Sequence, residues 1–401
     1  MRFLLRTALV LLSLVVLAGG GGYLWLINSP YWAGVTLFSE DKRVENFRAM
    51  DRVFPHKDVA KGESVWAFER DLRPLPETYV FEGTSKPIGE FLDDTDTTGL
   101  VVVRSGTILH EDYRLGADET SKFTSWSIAK SVLSALIGIA IEEGHIESLN
   151  DPLDQYVPAL AASPYAGVTI EEALTMSSGV AFDEDYDNPM SDVNRLFFSL
   201  AAGTPLEDML TALEREREPG TYNNYISSDS IALGLVLEAA TGMPKEYYLS
   251  NRLWAPMGAE SAAYWSMGRE GPVLPFCCLN ATLRDYARFG RLFLEGGARD
   301  GKAIVPRAWV ETSTRPSEPR LEPGENPASF WTFGYGYHWW VPEEPQDEFL
   351  AIGIWGQFIY VDRAREIVIV KTSADYDFDT RDHETVAVFR AIAAHYANDP
   401  A

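Results

Sequence analysis

The chain has 401 residues, enough to bury a large core and to hold two or three structural units. Its 59 acidic residues against 34 basic ones give a formal net charge of −25, a field that repels phosphate backbones, so nucleic acid is not expected as a partner. Six histidines without a close Cys/His cluster argue against a structural zinc site, and neither a metal nor another cofactor is expected.

Arg2 and Arg6 precede an uncharged run over residues 7–27, long enough to cross a bilayer as a helix. Basic residues on the N-terminal flank keep that end cytoplasmic and send the rest across. The competing reading is a cleaved signal peptide, with Val16 and Ala18 at the small-residue positions before Gly19 to Gly22. Because the apolar run resumes over residues 23–27, the expectation is a single transmembrane helix over 1–28. The alternative is secretion after cleavage; in both cases the body is exported. Residues 29–95 are mixed and punctuated by proline, and read as an N-terminal arm.

Residues 99–104, a Ser105-Gly106 turn and residues 107–113 read as a β-hairpin. Then comes Ser127-Ile128-Ala129-Lys130, followed by an unbroken apolar run over 132–141. Ser127 and Lys130 are three residues apart, so in a helix both side chains leave one face, about 5–6 Å apart at Cβ. An amine so placed can take a proton from a hydroxyl. Burial lowers its pKa towards a useful base, and the positive end of the helix dipole favours a developing alkoxide. The same spacing recurs at Ser39-Glu40-Asp41-Lys42, but among charges and without an apolar run behind it. A buried helix with a serine cap is the plain alternative at Ser127.

Further on, Thr169-Ile170-Glu171-Glu172 is a capping box, with Gly179 placed to end the helix. Ser228-Asp229 reads as a cap for residues 231–240, closed by Gly242. Cys277 and Cys278 are adjacent. Neighbouring Cα atoms are about 3.8 Å apart, below the usual disulfide range, so no ordinary bridge between them is expected. A helix over 281–295 is ended by Gly296-Gly297, and aromatic strands follow at 331–341 and 349–361. Trp331, Phe333, Tyr335, Tyr337 and Trp339 alternate on one strand face, where they would either line an acyl pocket or pack in the sheet. A strand over 366–372 and a last helix over 384–396 close the chain. Strands at both ends with a helical block between them predict an α+β fold. Its antiparallel sheet comes from N- and C-terminal segments, and the Ser127 helix stands at the seam with an inserted helical subdomain, where clefts form.

A lysine needs a partner that delivers a proton to the leaving group, and Tyr225-Ile226-Ser227, just before a helix, supplies a phenol. Ser-x-x-Lys followed by Tyr-x-Ser resembles the serine β-lactamase and penicillin-recognising hydrolases, class C branch. The resemblance runs from about residue 97 to 396. It extends to Leu174-Thr175-Met176-Ser177-Ser178-Gly179 and to residues 280–290. The chain is most similar to the 6-aminohexanoate-dimer hydrolases and their esterase relatives, through Asp183-Glu184-Asp185-Tyr186, Trp339-Trp340 and Gly353-Ile354-Trp355-Gly356-Gln357. The resemblance implies a β-lactamase-like sandwich over residues 96–398. It implies Ser127 as nucleophile, Lys130 as base and Tyr225 as proton shuttle. Tyr186 would hydrogen-bond a substrate amide nitrogen, and the N–H groups of Ser127 and Ile354 would bind the oxyanion. A small ester or amide substrate follows, with the membrane as the other partner.

Two departures narrow this. No Lys-Thr-Gly or His-x-Gly triplet stands before Ile354, so the cation that binds a penicillin or peptide carboxylate is missing from its place. The position matching the acidic residue that binds the amino end in the dimer hydrolases is Phe197. A β-lactamase or DD-peptidase is therefore the second reading, and a catalytically weak binding protein on the same scaffold the third.

Overall fold

A computed structural model describes residues 19–25, 27 and 31–397. No described helix is long and apolar enough to cross a membrane. The transmembrane helix expected over 1–28 falls mostly outside the described residues and is not supported by the structure.

The hairpin near the N-terminus and the strands near the C-terminus form one sheet. Its eight strands run in the order Gly334–Tyr335, Trp340–Val341, Glu348–Gly353, Gln357–Asp362, Ile367–Ser373, Thr97–Arg104, Thr107–Tyr113 and Glu69–Arg70. Neighbours are antiparallel except the last pair, where Glu69 and Arg70 run parallel to Thr107 and Ile108. Ser105 and Gly106 turn the hairpin at φ +46° and +83°, the left-handed pair that matches strand twist.

Period-two patterning divides the sheet's two faces. Leu100, Val102, Phe358, Tyr360 and Ile369 face the C-terminal helix Asp382–Ala397 through Val388, Phe389 and Ile392. Val101, Val103, Ile359, Val361, Val368 and Val370 face the other way, onto the helices Ile128–Glu142 and Leu283–Leu294. The result is a helix–sheet–helix sandwich, as the strand–helix–strand order predicted. Gly290 permits the second of those contacts: a Cβ there would lie 2.6 Å from Val368 and 2.9 Å from Ile359.

The arm residues belong to the fold. His56–Val59 is an edge strand on Ala263–Ser266, in a second sheet continued by Leu279–Ala281 and Phe123–Thr124. Arg288 fastens the arm: it donates to the Trp66 carbonyl at 2.9 Å and is held by Asp285 at 3.0 Å, which also accepts from the N–H groups of Glu260 and Ser261.

Local expectations fare unequally. The capping box at Thr169 and Glu172 forms in full, but its helix ends at Leu174, and Gly179 (φ +73°) serves a later turn against Arg217. The helix Ser227–Thr241 starts earlier than expected. Ser228 and Asp229 lie inside its first turn, where Asp229 is fully buried and accepts from Tyr165 and Ser178 instead of capping. The span 331–341 is no single strand, because His338 at φ +60° reverses it. Tyr335, Tyr337 and Trp339 are consequently core, while Trp331 and Phe333 reach the cleft with Trp340. The span 349–361 is likewise two strands with a turn at Ile354, Trp355 and Gly356. Cys277 and Cys278 are joined in a vicinal disulfide at a Cα separation of 3.7 Å, contrary to the expectation from spacing. The left-handed Cys278, φ +69°, accompanies this pairing of neighbours.

Candidate active site

Ser127 stands at the head of the helix Ile128–Glu142, the helix that the core surrounds. The residue before it, Trp126, is left-handed at φ +42° and almost fully buried. Its strain is borne by a bracket of hydrogen bonds. Ser125 N–H donates to the Leu279 carbonyl at 2.7 Å, and Leu279 N–H returns to the Ser125 hydroxyl at 3.0 Å. Ser127 occupies the N-cap position, yet its side chain caps nothing. Its hydroxyl instead accepts from Lys130 Nζ at 2.9 Å.

Lys130 is 1 % exposed. Its amine also donates to the Phe276 carbonyl at 3.0 Å and to Ser227 Oγ at 3.2 Å, and lies 4.8 Å from the centre of the Tyr225 ring. Burial lowers its pKa to about 8, against a smaller upward pull from the Glu184 carboxylate. At neutral to mildly alkaline pH a usable fraction of free amine is present. Tyr225 faces the Ser127 hydroxyl, and burial together with Glu184 pushes its phenol far above the usual range. The phenol therefore keeps its proton. Lys130 is thus available to accept a proton while Tyr225 beside it stays protonated.

Two residues join the constellation to which the sequence assigned no role of their own. Ser227 Oγ donates to Glu184 Oε1 at 2.6 Å, and Ser227 N–H donates to Oε2 at 2.8 Å, so Glu184 sits on the N-terminus of the helix Ser227–Thr241. Tyr186 also donates to Glu184 Oε1, at 2.7 Å. A chain of contacts thus runs Ser127, Lys130, Ser227, Glu184, Tyr186. Ser227 had a signal: it lies two residues past Tyr225 at a helix start. Glu184 lay in the Asp183-Glu184-Asp185-Tyr186 segment that carries the resemblance, but only the folded loop brings it to Ser227.

Ser127, Gly353, Ile354, Tyr186 and Tyr225 all line one cavity of about 650 Å³. Gly353 abuts Ser127: a Cβ there would lie 2.4 Å from the Ser125 carbonyl and 3.1 Å from Ser127 N. Neither Ser127 N–H nor Ile354 N–H donates to a protein acceptor among the described residues. Two free donors beside a buried serine are what an oxyanion requires. The structure therefore brings all five expected site residues together. Phe197 is partly buried against the core and in ring contact with Phe276, so it offers no charge. The second motif copy does not assemble: Ser39 donates to the Thr36 carbonyl and Lys42 pairs with Glu45. His338, without an assigned role in the sequence, supports the helix: its Nδ1 lies 3.0 Å from the Lys130 carbonyl, and burial lowers its pKa to about 3. Among the described residues no group of His, Cys, Asp and Glu could hold a metal ion.

The Beta-lactamase family model matches residues 86–391. A 6-aminohexanoate-dimer hydrolase of Paenarthrobacter ureafaciens is 31 % identical over 298 residues, 72 % of this chain and 76 % of the relative. A Bacillus anthracis structure described as a 6-aminohexanoate-dimer hydrolase superposes with a TM-score of 0.83 at 25 % identity, covering 91 % of this chain and 97 % of the other. A penicillin-binding protein of Bacillus halodurans shares the fold, with a TM-score of 0.60 at 16 % identity over 77 % of this chain and 99 % of the other.

Proposed function

The chain belongs to the Beta-lactamase family as a serine hydrolase of the acyl-enzyme type, and from that premise we propose that it cleaves carboxylic esters or small amides at Ser127. The observation that carries this reading is the contact of Ser127 Oγ with a buried Lys130 of lowered pKa, beside a Tyr225 that stays protonated.

Ser127 Oγ attacks the substrate carbonyl carbon as its proton passes to the free amine of Lys130. The carbonyl oxygen becomes an oxyanion held by the N–H groups of Ser127 and Ile354, each donor contributing a few kcal/mol in a dry site. As the intermediate collapses, Tyr225 protonates the leaving oxygen or nitrogen and recovers a proton from Lys130. Water then enters, gives its proton up along the same relay and releases the acid. Tyr186, at the cavity wall, would hydrogen-bond the nitrogen of an amide substrate.

The lining of the cleft separates this from the lactamase or DD-peptidase reading. It carries seven carboxylates, from Asp183 to Asp187 on one side and Asp377 to Asp382 on the other, and neither lysine nor arginine. A substrate with a free carboxylate would meet a predominance of like charge there, so neutral or cationic esters and amides fit better. Arg2, Arg6 and the apolar run behind them support export with the hydrolase body outside the cytoplasm, held by the leader or released after its cleavage.

Treating the full-length protein with a fluorophosphonate and mapping the peptides tests the assignment. A single adduct on Ser127, lost in Ser127→Ala, is expected; a folded protein that takes no adduct would count against the hydrolase and favour a binding role.

A further inference from the structure

We propose that Gln357 is a positioning residue of the oxyanion hole, holding the turn that presents the Ile354 N–H. The inference rests on the acyl-enzyme reading above and assigns a function to a side chain that does not line the cleft.

The strands Glu348–Gly353 and Gln357–Asp362 pair antiparallel up to Gly353 opposite Gln357, which leaves a three-residue turn. Two of its residues are left-handed, Trp355 at φ +63° and Gly356 at φ +79°. A tryptophan in that region costs conformational energy, so the turn persists only where its surroundings over-determine it. The Gln357 side chain does this. It is 2 % exposed and folds back beneath the turn. Its Nε2 donates to the carbonyls of Ile354 at 3.3 Å, Trp355 at 2.9 Å and Ser373 at 2.8 Å, and its Oε1 accepts from Ser373 N–H at 3.2 Å. One amide therefore fixes the two carbonyls that follow the Ile354 N–H and ties both to the neighbouring strand.

The opposite end of the turn is fixed by contact. Gly353 packs against the backbone of Ser125 and Ser127, as described above, and Gly356 fits so closely that a Cβ would lie 3.1 Å from Ser373 Cβ and 3.2 Å from Lys371 Nζ. Trp355 O also accepts from Asp375 N–H at 3.2 Å. Between these supports stands Ile354, which lines the same cleft as Ser127. An oxyanion donor acts through preorganisation, and tolerates only about 0.5 Å or 10–20° of misplacement. Nothing else among the described residues hydrogen-bonds the Ile354 carbonyl. Without the glutamine amide, the peptide that follows the donor has no fixed partner.

A matched ester and thionoester, identical but for the carbonyl oxygen or sulfur, report on the hole directly, because the N–H donors favour oxygen. In the full-length protein Gln357→Met removes both halves of the amide. Gln357→Glu keeps the acceptor for Ser373 N–H and loses the donors, and carries the test if the methionine variant does not fold. Per folded molecule, kcat for the ester should fall about tenfold to a hundredfold with KM held within about threefold, and the ester-to-thionoester preference should shrink by a similar factor. Equal losses on both substrates, leaving the preference at its wild-type value, would overturn the proposal and make Gln357 a merely structural residue. Failure of the acyl-enzyme reading would show separately, as a wild-type protein in which Ser127 takes no fluorophosphonate.

Discussion

Two buried lysines in this molecule are near copies of each other, and only one contacts the serine proposed as nucleophile. Lys130 and Lys371 are each 1 % exposed, and each donates to a serine hydroxyl, Ser127 at 2.9 Å and Ser373 at 2.5 Å. Each lies within 6 Å of two aromatic rings, Tyr225 and Phe276 for one, Phe91 and Phe358 for the other. Burial lowers both pKa values, to about 8 and about 7. A depressed lysine beside a hydroxyl therefore does not by itself define the site. Ser127 opens onto the cavity at a helix N-terminus, with a protonated phenol and two free N–H groups at hand. Ser373 ends a central strand, packs under Gly356 and lines no cavity described above. Access and an acid partner separate the two pairs.

Removing each serine breaks the comparison most sharply. Ser127→Ala should lower ester turnover by roughly a thousandfold or more, whereas Ser373→Ala should keep both turnover and the fluorophosphonate adduct. Equal losses in the two variants would mean that the pairs are coupled. The lysines come next. Lys130→Met should lower kcat by about a hundredfold or more by removing the base, with Lys371→Met staying within about threefold of wild type, measured as initial rates on a neutral ester.

The same contrast shows how far the chain could be read without its fold. Ser127 and Lys130 were legible because an apolar run follows them, and the second copy at Ser39 was legible as a decoy because none does. The hairpin at Ser105-Gly106 and the capping box at Thr169 are local devices, and both formed. Glu184 and Gln357 stand in segments that carry the family resemblance, but their partners were not legible: Glu184 meets Ser227 and Gln357 meets Ser373 only in the fold, and no period in the sequence marks such pairings. The Lys371–Ser373 pair is local, two residues apart on one strand, and nothing in the surrounding sequence set it apart. The breaks at His338 and Trp355 escaped for another reason: both are non-glycine residues at positive φ, imposed by tertiary contacts against local preference.

Glu184 sharpens the base assignment at a smaller scale. Its carboxylate raises the Lys130 pKa, so Glu184→Gln should lower that pKa further. The rising limb of the kcat/KM profile, expected near pH 8 in the wild type if Lys130 is the base, should move to lower pH in the variant. Its maximum should fall by about tenfold, about 1.4 kcal/mol, because Ser227 and Tyr186 lose the charge that orients them. A limb that stays in place would assign that titration to a group other than Lys130.

The smallest effect separates Lys371 from catalysis altogether. In the folded chain its ammonium gives up a proton near pH 7, while in the unfolded chain it holds it to the ordinary value of 10.5. Between those values the unfolded state binds more protons, so this group makes stability rise with pH across that window, and below it the full cost of burying the charge is present. Asp382, raised to about 7, acts in the opposite sense at lower pH, where the folded state binds the extra proton. Lys371→Met should therefore flatten the increase in Tm above about pH 7, shift Tm by a few degrees and leave the activity profile in place. A variant that kept the wild-type rise in Tm would show that Lys371 is not the group that titrates there, and the likeness between the two lysines would then end at their geometry.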